Sequence, residues 1–320
     1  MSIIPDHSAF HNLALHVAEN LRVLWEPGEV REVRIPTNGR LGTISGYFDD
    51  PTEAARALIR YDGRVPGIYV TLNPVDPALL ARAANRLRAR AKETTSDAQV
   101  VRRTWIGLDF DPVRPSGVSS TNEEHEAALA RAREARAFLA GHGWPDPVLA
   151  DSGNGAHLLY RVDLPPDDAS RELVDKVLRA VAVYLADDRV NVDLKVGNAA
   201  RIWKVYGTMA CKGDNTEDRP HRRARIVELP GQLKVVPVDR LEAVAALAPT
   251  PQAPPQRQGG RFDLERWLAD HQVPVEGPKP WGDGRKWVFP VCPWNPDHTN
   301  RSAYVVQFSS GAIGAGWHHN

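Results

Sequence analysis

The sequence contains only two cysteines among its 320 residues, Cys211 and Cys292. A disulfide framework of the kind found in small secreted domains is therefore excluded, and a reducing, cytoplasmic setting fits best. No apolar run approaches the ~20 residues that a membrane-spanning helix needs. The first ten residues lack a basic stretch followed by an apolar one, so we expect no signal peptide and no membrane partner.

The chain also lacks an excess of either charge, since 40 Lys and Arg residues balance 40 Asp and Glu residues. This balance counts mildly against a small nucleic-acid-binding protein, but it does not exclude a local basic groove. Basic clusters occur at 82–90, 102–103 and 221–223, and we interpret the first as the solvated face of a helix. No GxxxxGK[ST] loop is present, which argues against a fused ATPase motor of that type.

Helical and strand-like patterns alternate along most of the chain, which predicts an α/β or α+β architecture. Helices are expected at 8–25, 52–61, 76–90, 122–139 and 168–185, and strands at 30–35, 42–48, 67–72, 103–111, 147–151, 156–162, 190–194 and 225–229. Residues 249–260 are rich in Pro, Gln and Gly and are expected to form an exposed linker. Residues 261–320 then form a separate module that begins with an amphipathic helix at 262–268.

The most informative segment is the run WIGLDFD at 105–111. Because strand side chains alternate between faces, its apolar residues should face a core, while Asp109 and Asp111 share a cleft-facing side with Gly107. Two unpaired carboxylates on one face repel each other unless a cation lies between them. We therefore expect a divalent metal here, although an exposed strand end could carry the same pair of acids.

Two further segments carry chemistry of a related kind. At 150–160, ADSGNGAHLLY, a glycine-rich turn precedes His157, which could donate to a phosphate oxygen or simply pack in a hairpin. At 191–201, alternation predicts that Asp193 shares a face with Lys195, and Arg201 follows. A carboxylate beside two cations suits a metal-bound triphosphate, although an ordinary salt bridge of Asp193 would use the same residues.

Taken in order, WIGLDFDPVRP, SGNGAHLLY and VDLKVGNAARIWKVYGT resemble the archaeo-eukaryotic primase superfamily, and more narrowly its phage and plasmid primase-polymerases. The family pattern is a DxD, a small-x-His and a later Asp. Here the three parts fall on Asp109 and Asp111, on Gly155-Ala156-His157, and on Asp193. The family is also similar to this sequence at the segment YVTLNP (69–74) and, downstream, at Asn198, Arg201 and Gly207-Thr208. The resemblance covers roughly residues 25–240.

This resemblance implies a catalytic core at 1–248, made of an N-terminal α/β subdomain (1–100) and an RRM-like subdomain (101–248) that carries the acids. It implies a DNA primase or polymerase that adds nucleotides to a 3′-hydroxyl, and many such enzymes also start chains de novo. Asp109, Asp111 and Asp193 would hold one or two Mg²⁺ or Mn²⁺ ions in a two-metal mechanism. The nucleotide-binding residues it suggests are His157, Lys195, Arg201, Ser152, Asn154 and Arg114.

The implied partners are template DNA, expected to be single-stranded, a dNTP or NTP, and a replicative helicase on the same or a separate polypeptide. Two other functions remain open at this stage. A metal-dependent nuclease could use the same carboxylates, and a non-catalytic replication-initiation or DNA-binding module could retain the fold.

The C-terminal module resembles a zinc-ribbon-like primase module. Cys292, His298, His318 and His319 are its candidate Zn²⁺ ligands, and such sites usually have four N or S donors. In similar proteins we would expect a cysteine near Trp317 or beyond Asn320, so we expect the natural chain to continue past that residue. A small buried Cys292 and a histidine tail without metal would give the same sequence.

Overall fold

The computed structural model describes residues 7–37, 39–249, 262–282, 284–293 and 303–317. The chain divides into two compact units, Met1–Thr250 and Pro251–Asn320. None of the helices in these described ranges is both long enough and apolar enough to cross a membrane.

The first unit mixes helices and strands, as the sequence patterns predict. In chain order its elements are α1 (His7–Leu24), β1 (Arg31–Ile35), β2 (Ile44–Phe48), α2 (Pro51–Leu58), β3 (Tyr69–Thr71), β4 (Arg103–Pro112), α3 (Asn122–Gly141), β5 (Val148–Asp151), β6 (Ala156–Leu164), α4 (Asp168–Leu185), β7 (Val190–Val192), β8 (Ile202–Lys204), β9 (Met209–Ala210), β10 (Arg222–Arg223), β11 (Arg225–Glu228) and α5 (Val238–Ala245). Short 3₁₀ helices lie at Ile59–Tyr61, Pro77–Arg82, Asp97–Gln99 and Leu194–Gly197.

A five-stranded antiparallel sheet has the order β11-β5-β6-β4-β7. Its connections run β4-α3-β5-β6-α4-β7, which is the β-α-β-β-α-β order of ferredoxin-like and RRM-like folds. The expected RRM-like arrangement is therefore present, with β11 added at one edge. Helix α3 begins with a capping box in which Thr121 and Glu124 each satisfy the other's backbone N–H, and this fixes where the first crossover helix starts.

The predicted alternation along β4 is confirmed. Ile106, Leu108 and Phe110 are buried in the core, while Asp109 and Asp111 are only partly buried. The core face packs against α3 and α4. Helix α3 turns a stripe of small buried residues toward this core: Ala128, Ala132 and Ala135. Small side chains allow the helix to approach the sheet closely, so that apolar surface is removed from water on both elements.

The second sheet of this unit has the order β2-β1-β3-β8, and α1 and α2 pack on one of its faces. Strand β8 comes from residues 202–204, far along the chain, and pairs with β3. The N-terminal sheet therefore is not built from residues 1–100 alone. As a consequence, Trp203 on β8 is carried over Gly107 on β4, so that the two sheets meet at this point.

The helix predicted at 76–90 is wrong. Only the 3₁₀ turn Pro77–Arg82 forms there, and the chain then runs irregularly along β2, with backbone hydrogen bonds that include Arg88 N–H to Ser45 C=O (2.9 Å). Asn85 and Arg90 adopt positive φ values of 47° and 57°, which no α-helix allows. The open edge of β2 offers unpaired backbone groups, and pairing with them outweighs the helical propensity of an Ala- and Arg-rich segment.

The described residues of the second unit form one short helix and a four-stranded antiparallel sheet. Its elements are α6 (Leu264–Asp270), β12 (Glu276–Trp281), β13 (Gly284–Val288), β14 (Ala303–Gln307) and β15 (Ile313–Trp317), with sheet order β12-β13-β14-β15. The expected helix at the start of the module is thus present. Cys292 is buried, whereas His298, His318 and His319 lie outside the described residues, so the zinc site stays a prediction.

Replacement of Gly107 by alanine tests the meeting point of the two sheets. A Cβ at this position would lie 2.4 Å from the ring of Trp203, so we expect Gly107→Ala to destabilise the fold by about 1–3 kcal/mol through overpacking. Denaturant unfolding measures this change. Gly231→Ala is the matched control, because a Cβ there meets nothing within 4 Å, and an equal effect of both substitutions would contradict the packing described.

Candidate functional site

A cleft in the first unit collects polar side chains from both of its sheets. Six of the residues predicted from the sequence line it: Asp109, Asp111, Ser152, Asn154, His157 and Arg201. The lining also includes residues that the sequence did not single out for this role: Pro66, Tyr69, Ile202, Trp203, Lys204, Ala210 and Lys212. The cleft thus combines two carboxylates with three cationic side chains.

A row of side chains crosses the five-stranded sheet at the floor of the cleft. Asp109 on β4 lies directly opposite His157 on β6, and 3.4 Å separates Asp109 Oδ1 from His157 Nε2. On the other side of β4, the N–H of Asp193 donates to the carbonyl of Asp109 (2.9 Å). Residues opposite each other on neighbouring strands project to the same face, so Asp109 and His157 form this row.

The two acids of β4 differ in their electrostatics. Burial alone would raise the pKa of Asp109, but the charge of His157 and its hydrogen bond outweigh burial and lower that pKa. The pKa of Asp111 is raised, first by burial and then by the negative charge of Asp109, against the opposing charges of Arg114 and Lys212. This repulsion between carboxylates on one face is what a bound cation would relieve.

His157 is held from behind by two aromatic residues. Its Nδ1 lies 2.9 Å from the hydroxyl of Tyr206, and that hydroxyl accepts a hydrogen bond from the indole N–H of Trp203 (2.9 Å). Tyr206 thus engages Nδ1, and Nε2 is the ring nitrogen that lies beside Asp109 in the cleft. All three rings are buried, so the imidazole has a fixed orientation.

Asp193 lies beside this row, but its carboxylate is already bonded. It caps the 3₁₀ turn Leu194–Gly197 by accepting from the N–H of Lys195 (2.8 Å), and Arg201 donates to its other oxygen (3.1 Å). The expected alternation of Asp193 with Lys195 is wrong, because β7 ends at Val192 and the cap starts a turn. The side chain of Lys195 is exposed and does not line the cleft.

Three other predicted residues have structural partners. Arg114 donates to Asp111 Oδ1 (3.3 Å) and to the carbonyl of Val118 (3.2 Å), so its guanidinium is engaged at the edge of the cleft. Ser152 Oγ accepts from the N–H of Gly155 (2.9 Å) and closes the glycine turn. Asn154 Oδ1 accepts from the N–H of Ser120 (3.0 Å).

Three solved structures are similar to this chain, and they are of a primase, its catalytic domain and a polymerase domain. Primase RepB′ shares 12% identity with it at a TM-score of 0.40, covering 74% of this chain and 62% of RepB′. For the catalytic domain of RepB′ in complex with initiator DNA, the identity is 12% and the TM-score is 0.38, and the overlap covers 74% of this chain and 93% of that domain. For the polymerase domain of Mycobacterium tuberculosis Ligase D in complex with DNA, the identity is 14% and the TM-score is 0.39, and the overlap covers 75% of this chain and 88% of that domain.

These proteins are of the class that the sequence motifs resemble, but each TM-score lies below 0.5 and we base no inference on the overlap. No protein-family model and no curated protein matches the sequence.

The carboxylates are the groups of the cleft that could hold a metal. Divalent Mg²⁺ and Mn²⁺ prefer oxygen ligands, and Asp109 and Asp111 offer carboxylate oxygens on one face, with a raised pKa on Asp111 that reflects their repulsion. In the described part of the chain, no cluster of three or more His, Cys, Asp or Glu side chains is arranged to hold a metal. The donor pair therefore fits such an ion, while participation of Asp193 stays a prediction.

Lys204 is a buried cation of the cleft that no local sequence pattern predicts. Its ammonium is buried and donates to Thr208 Oγ1 (3.0 Å) and to the carbonyl of Met209 (2.7 Å). Burial lowers its pKa to about 7, although the negative charge of Asp62 opposes this shift. Lys204 lies on β8, which pairs with β3 from a distant part of the sequence, so the local sequence IWK does not predict this burial.

The lowered pKa of Lys204 predicts a pH-dependent stability. Between pH ~7 and ~10.5 the unfolded chain binds more protons at this residue than the folded chain, so the free energy of unfolding should rise with pH in that window. Lys204→Met removes this contribution. We expect wild type to gain stability relative to the variant, by up to a few kcal/mol, when urea unfolding is measured from pH 7 to pH 10. Parallel pH profiles would contradict a perturbed lysine.

Proposed function

We propose that this chain is a DNA-dependent nucleotidyltransferase, a primase-polymerase that adds nucleotides to a 3′-hydroxyl on a DNA template. The observation that carries the proposal is the composition of the cleft. Two carboxylates and a fixed histidine occupy its floor, and Arg201, Lys204 and Lys212 line it. Acids that attract a divalent ion, set against cations that neutralise phosphate, are what transfer of a nucleotide from a triphosphate requires.

Each side chain then has a distinct task. His157, whose ring is held by the bond between Nδ1 and the Tyr206 hydroxyl, donates from Nε2 to an oxygen of the incoming triphosphate. Arg201 and Lys212 supply positive charge against the same group, and charge-assisted bonds of this kind are stronger than neutral ones. Ser152 and Asn154 line the nucleotide site from the glycine turn. The missing side chains of Gly153 and Gly155 let this turn pack closely against the backbone of Arg222 and of Phe110.

Asp109 and Asp111, with Asp193 beside them, are the residues that would hold Mg²⁺ or Mn²⁺. Bound there, a divalent ion would lower the pKa of the attacking hydroxyl and neutralise charge on the leaving pyrophosphate. In the same cleft, Arg114 holds the carboxylate of Asp111 in place. The proposal includes a dNTP or an NTP as the incoming nucleotide, and de novo priming in phage or plasmid-type replication.

Primer extension tests the role of the acids. Asp109→Asn with Asp111→Asn keeps the side-chain shapes but removes the charges that would bind metal, so we expect extension of a primed template with Mn²⁺ or Mg²⁺ to fall at least about 10²-fold. The matched control is Asp188→Asn, an exposed acid in the turn before β7, which should extend like wild type. Full extension by the double variant would remove the acids from the site.

The same incubation separates the other two functions. A nuclease would shorten the labelled strand in a manner that depends on Asp109 and Asp111. A DNA-binding module would shift the DNA without changing its length. Comparison of labelled dNTPs with NTPs, on primed and unprimed templates, would show the preferred sugar and whether chains are started or only extended.

A phenol-to-phenyl substitution tests the orientation of His157. Tyr206→Phe removes the hydroxyl that bonds Nδ1, and we expect the KM for the incoming nucleotide to rise several-fold, while His157→Ala raises it further. Tyr160→Phe is the matched control, since the Tyr160 hydroxyl is buried and has no hydrogen-bond partner among the described residues. An unchanged KM and rate in His157→Ala would exclude the histidine from nucleotide binding.

A further inference from the structure

A second basic groove lies on the N-terminal sheet, away from the cleft. It has a volume of about 370 Å³. Four cationic side chains line it beside Tyr47: Arg82, Arg88, Arg90 and Lys92. Arg82, Arg88 and Arg90 belong to the basic cluster at 82–90 that we interpreted from the sequence as the solvated face of a helix, and Lys92 follows it. Because the segment instead runs irregularly along the edge of β2, its cations gather around one groove.

The backbone of this segment is held in place. The carbonyl of Arg88 accepts from Ser45 N–H (3.0 Å), and Arg90 N–H donates to the carbonyl of Leu41 (2.9 Å). Arg90 adopts a left-handed conformation with φ of 57°, and its Nε donates to the carbonyl of Arg40 (3.0 Å). A non-glycine residue held at positive φ is uncommon and marks a position fixed by its surroundings.

The charges of the groove are largely unneutralised. Arg82 is 3.3 Å from the carboxylate of Glu93. Arg88, Arg90 and Lys92 are exposed, and none of the acids within the described ranges forms an ion pair with them. Three uncompensated cations at the rim of one groove create a local positive potential in a chain whose net charge is zero.

The groove and the cleft lie on the same face of this sheet. Ser45, which lines the groove, is paired with Arg34 on β1; Arg34 is paired with Tyr69 on β3, and Tyr69 with Lys204 on β8. Residues paired in this way project to one face. Tyr69 and Lys204 line the cleft. Three strand spacings separate the two sites, a distance of about 14 Å.

We propose that the groove lined by Arg82, Arg88, Arg90 and Lys92 binds the phosphate backbone of the nucleic-acid strand that enters the cleft. Arginine recognises phosphate through paired N–H donors, and backbone contacts of this kind position a strand without reading its sequence. The common sheet face favours a nucleic acid over an acidic protein, because one strand can occupy both places. This inference rests on the proposed nucleic-acid substrate of the cleft.

Binding of oligonucleotides of two lengths tests the groove. At about 3.4 Å per phosphate, two nucleotides span only about 7 Å of the ~14 Å between the sites. A strand of two nucleotides therefore cannot occupy the cleft and the groove together, whereas one of about 20 nucleotides reaches both. Fluorescence anisotropy with labelled oligothymidylates measures both affinities for the full chain. The test variant is Arg88→Gln with Lys92→Gln, two exposed cations whose removal leaves the backbone pairing intact.

We expect the double variant to bind the long strand about tenfold more weakly at low salt. The slope of log K against log salt should become shallower by about 1.4, since each lost contact to single-stranded phosphate accounts for about 0.7. Affinity for the short strand should not change. The matched control is Arg133→Gln with Lys176→Gln, which removes the same net charge from exposed positions on α3 and α4.

The proposal is overturned if the long strand binds the variant like wild type, which would leave an acidic protein as the occupant. It is equally overturned if both lengths, or the control variant, lose the same affinity, because the effect would then come from net charge alone. The readout is binding and does not require polymerisation. A wild-type chain that binds the long strand through the groove but extends no primer would contradict the proposed function and leave the groove in place.

Discussion

The cross-strand contact between Asp109 and His157 is the feature on which the rest of the site depends. A carboxylate and an imidazole placed opposite each other on β4 and β6 require the two strands to pair in one register, because a shift of either strand by one residue would turn its side chain into the core. The neighbouring cross-strand pair, Leu108 and Leu158, points to the core, is fully buried and enforces that register. The chemistry of the cleft is therefore fixed by apolar packing on the opposite face of the sheet.

The two sheets of the first unit contribute different charges to one place. The five-stranded sheet supplies the acids and the histidine. The four-stranded sheet supplies Tyr69 and Lys204 through β3 and β8. Strand β8 is three residues long, but it brings Trp203 over Gly107 and leads into Tyr206, whose hydroxyl orients His157. The short strand β8 thus positions both Lys204 and, through Tyr206, the imidazole of His157.

The sequence predicted what depends on local periodicity. The alternation along 105–111 located the acids and the core face correctly. The helical patterns at 122–139 and 168–185 correctly predicted α3 and α4. The prediction failed where tertiary pairing decides the backbone. The Ala- and Arg-rich segment after Arg82 is held along the edge of β2, and the chain after Asp193 turns because that carboxylate caps it. The lowered pKa of Lys204 and the bond from Tyr206 arise from contacts that no local pattern reveals.

Direct binding of Mn²⁺ in the presence of a nucleoside triphosphate tests the central claim that the cleft holds a metal and a triphosphate together. Electron paramagnetic resonance of free Mn²⁺ reports this without requiring polymerisation. We predict that adding protein to Mn²⁺ and a nucleotide reduces the free-ion signal more than either partner alone, and that Asp109→Asn with Asp111→Asn abolishes this excess. Equal Mn²⁺ binding by wild type and the double variant would contradict the account.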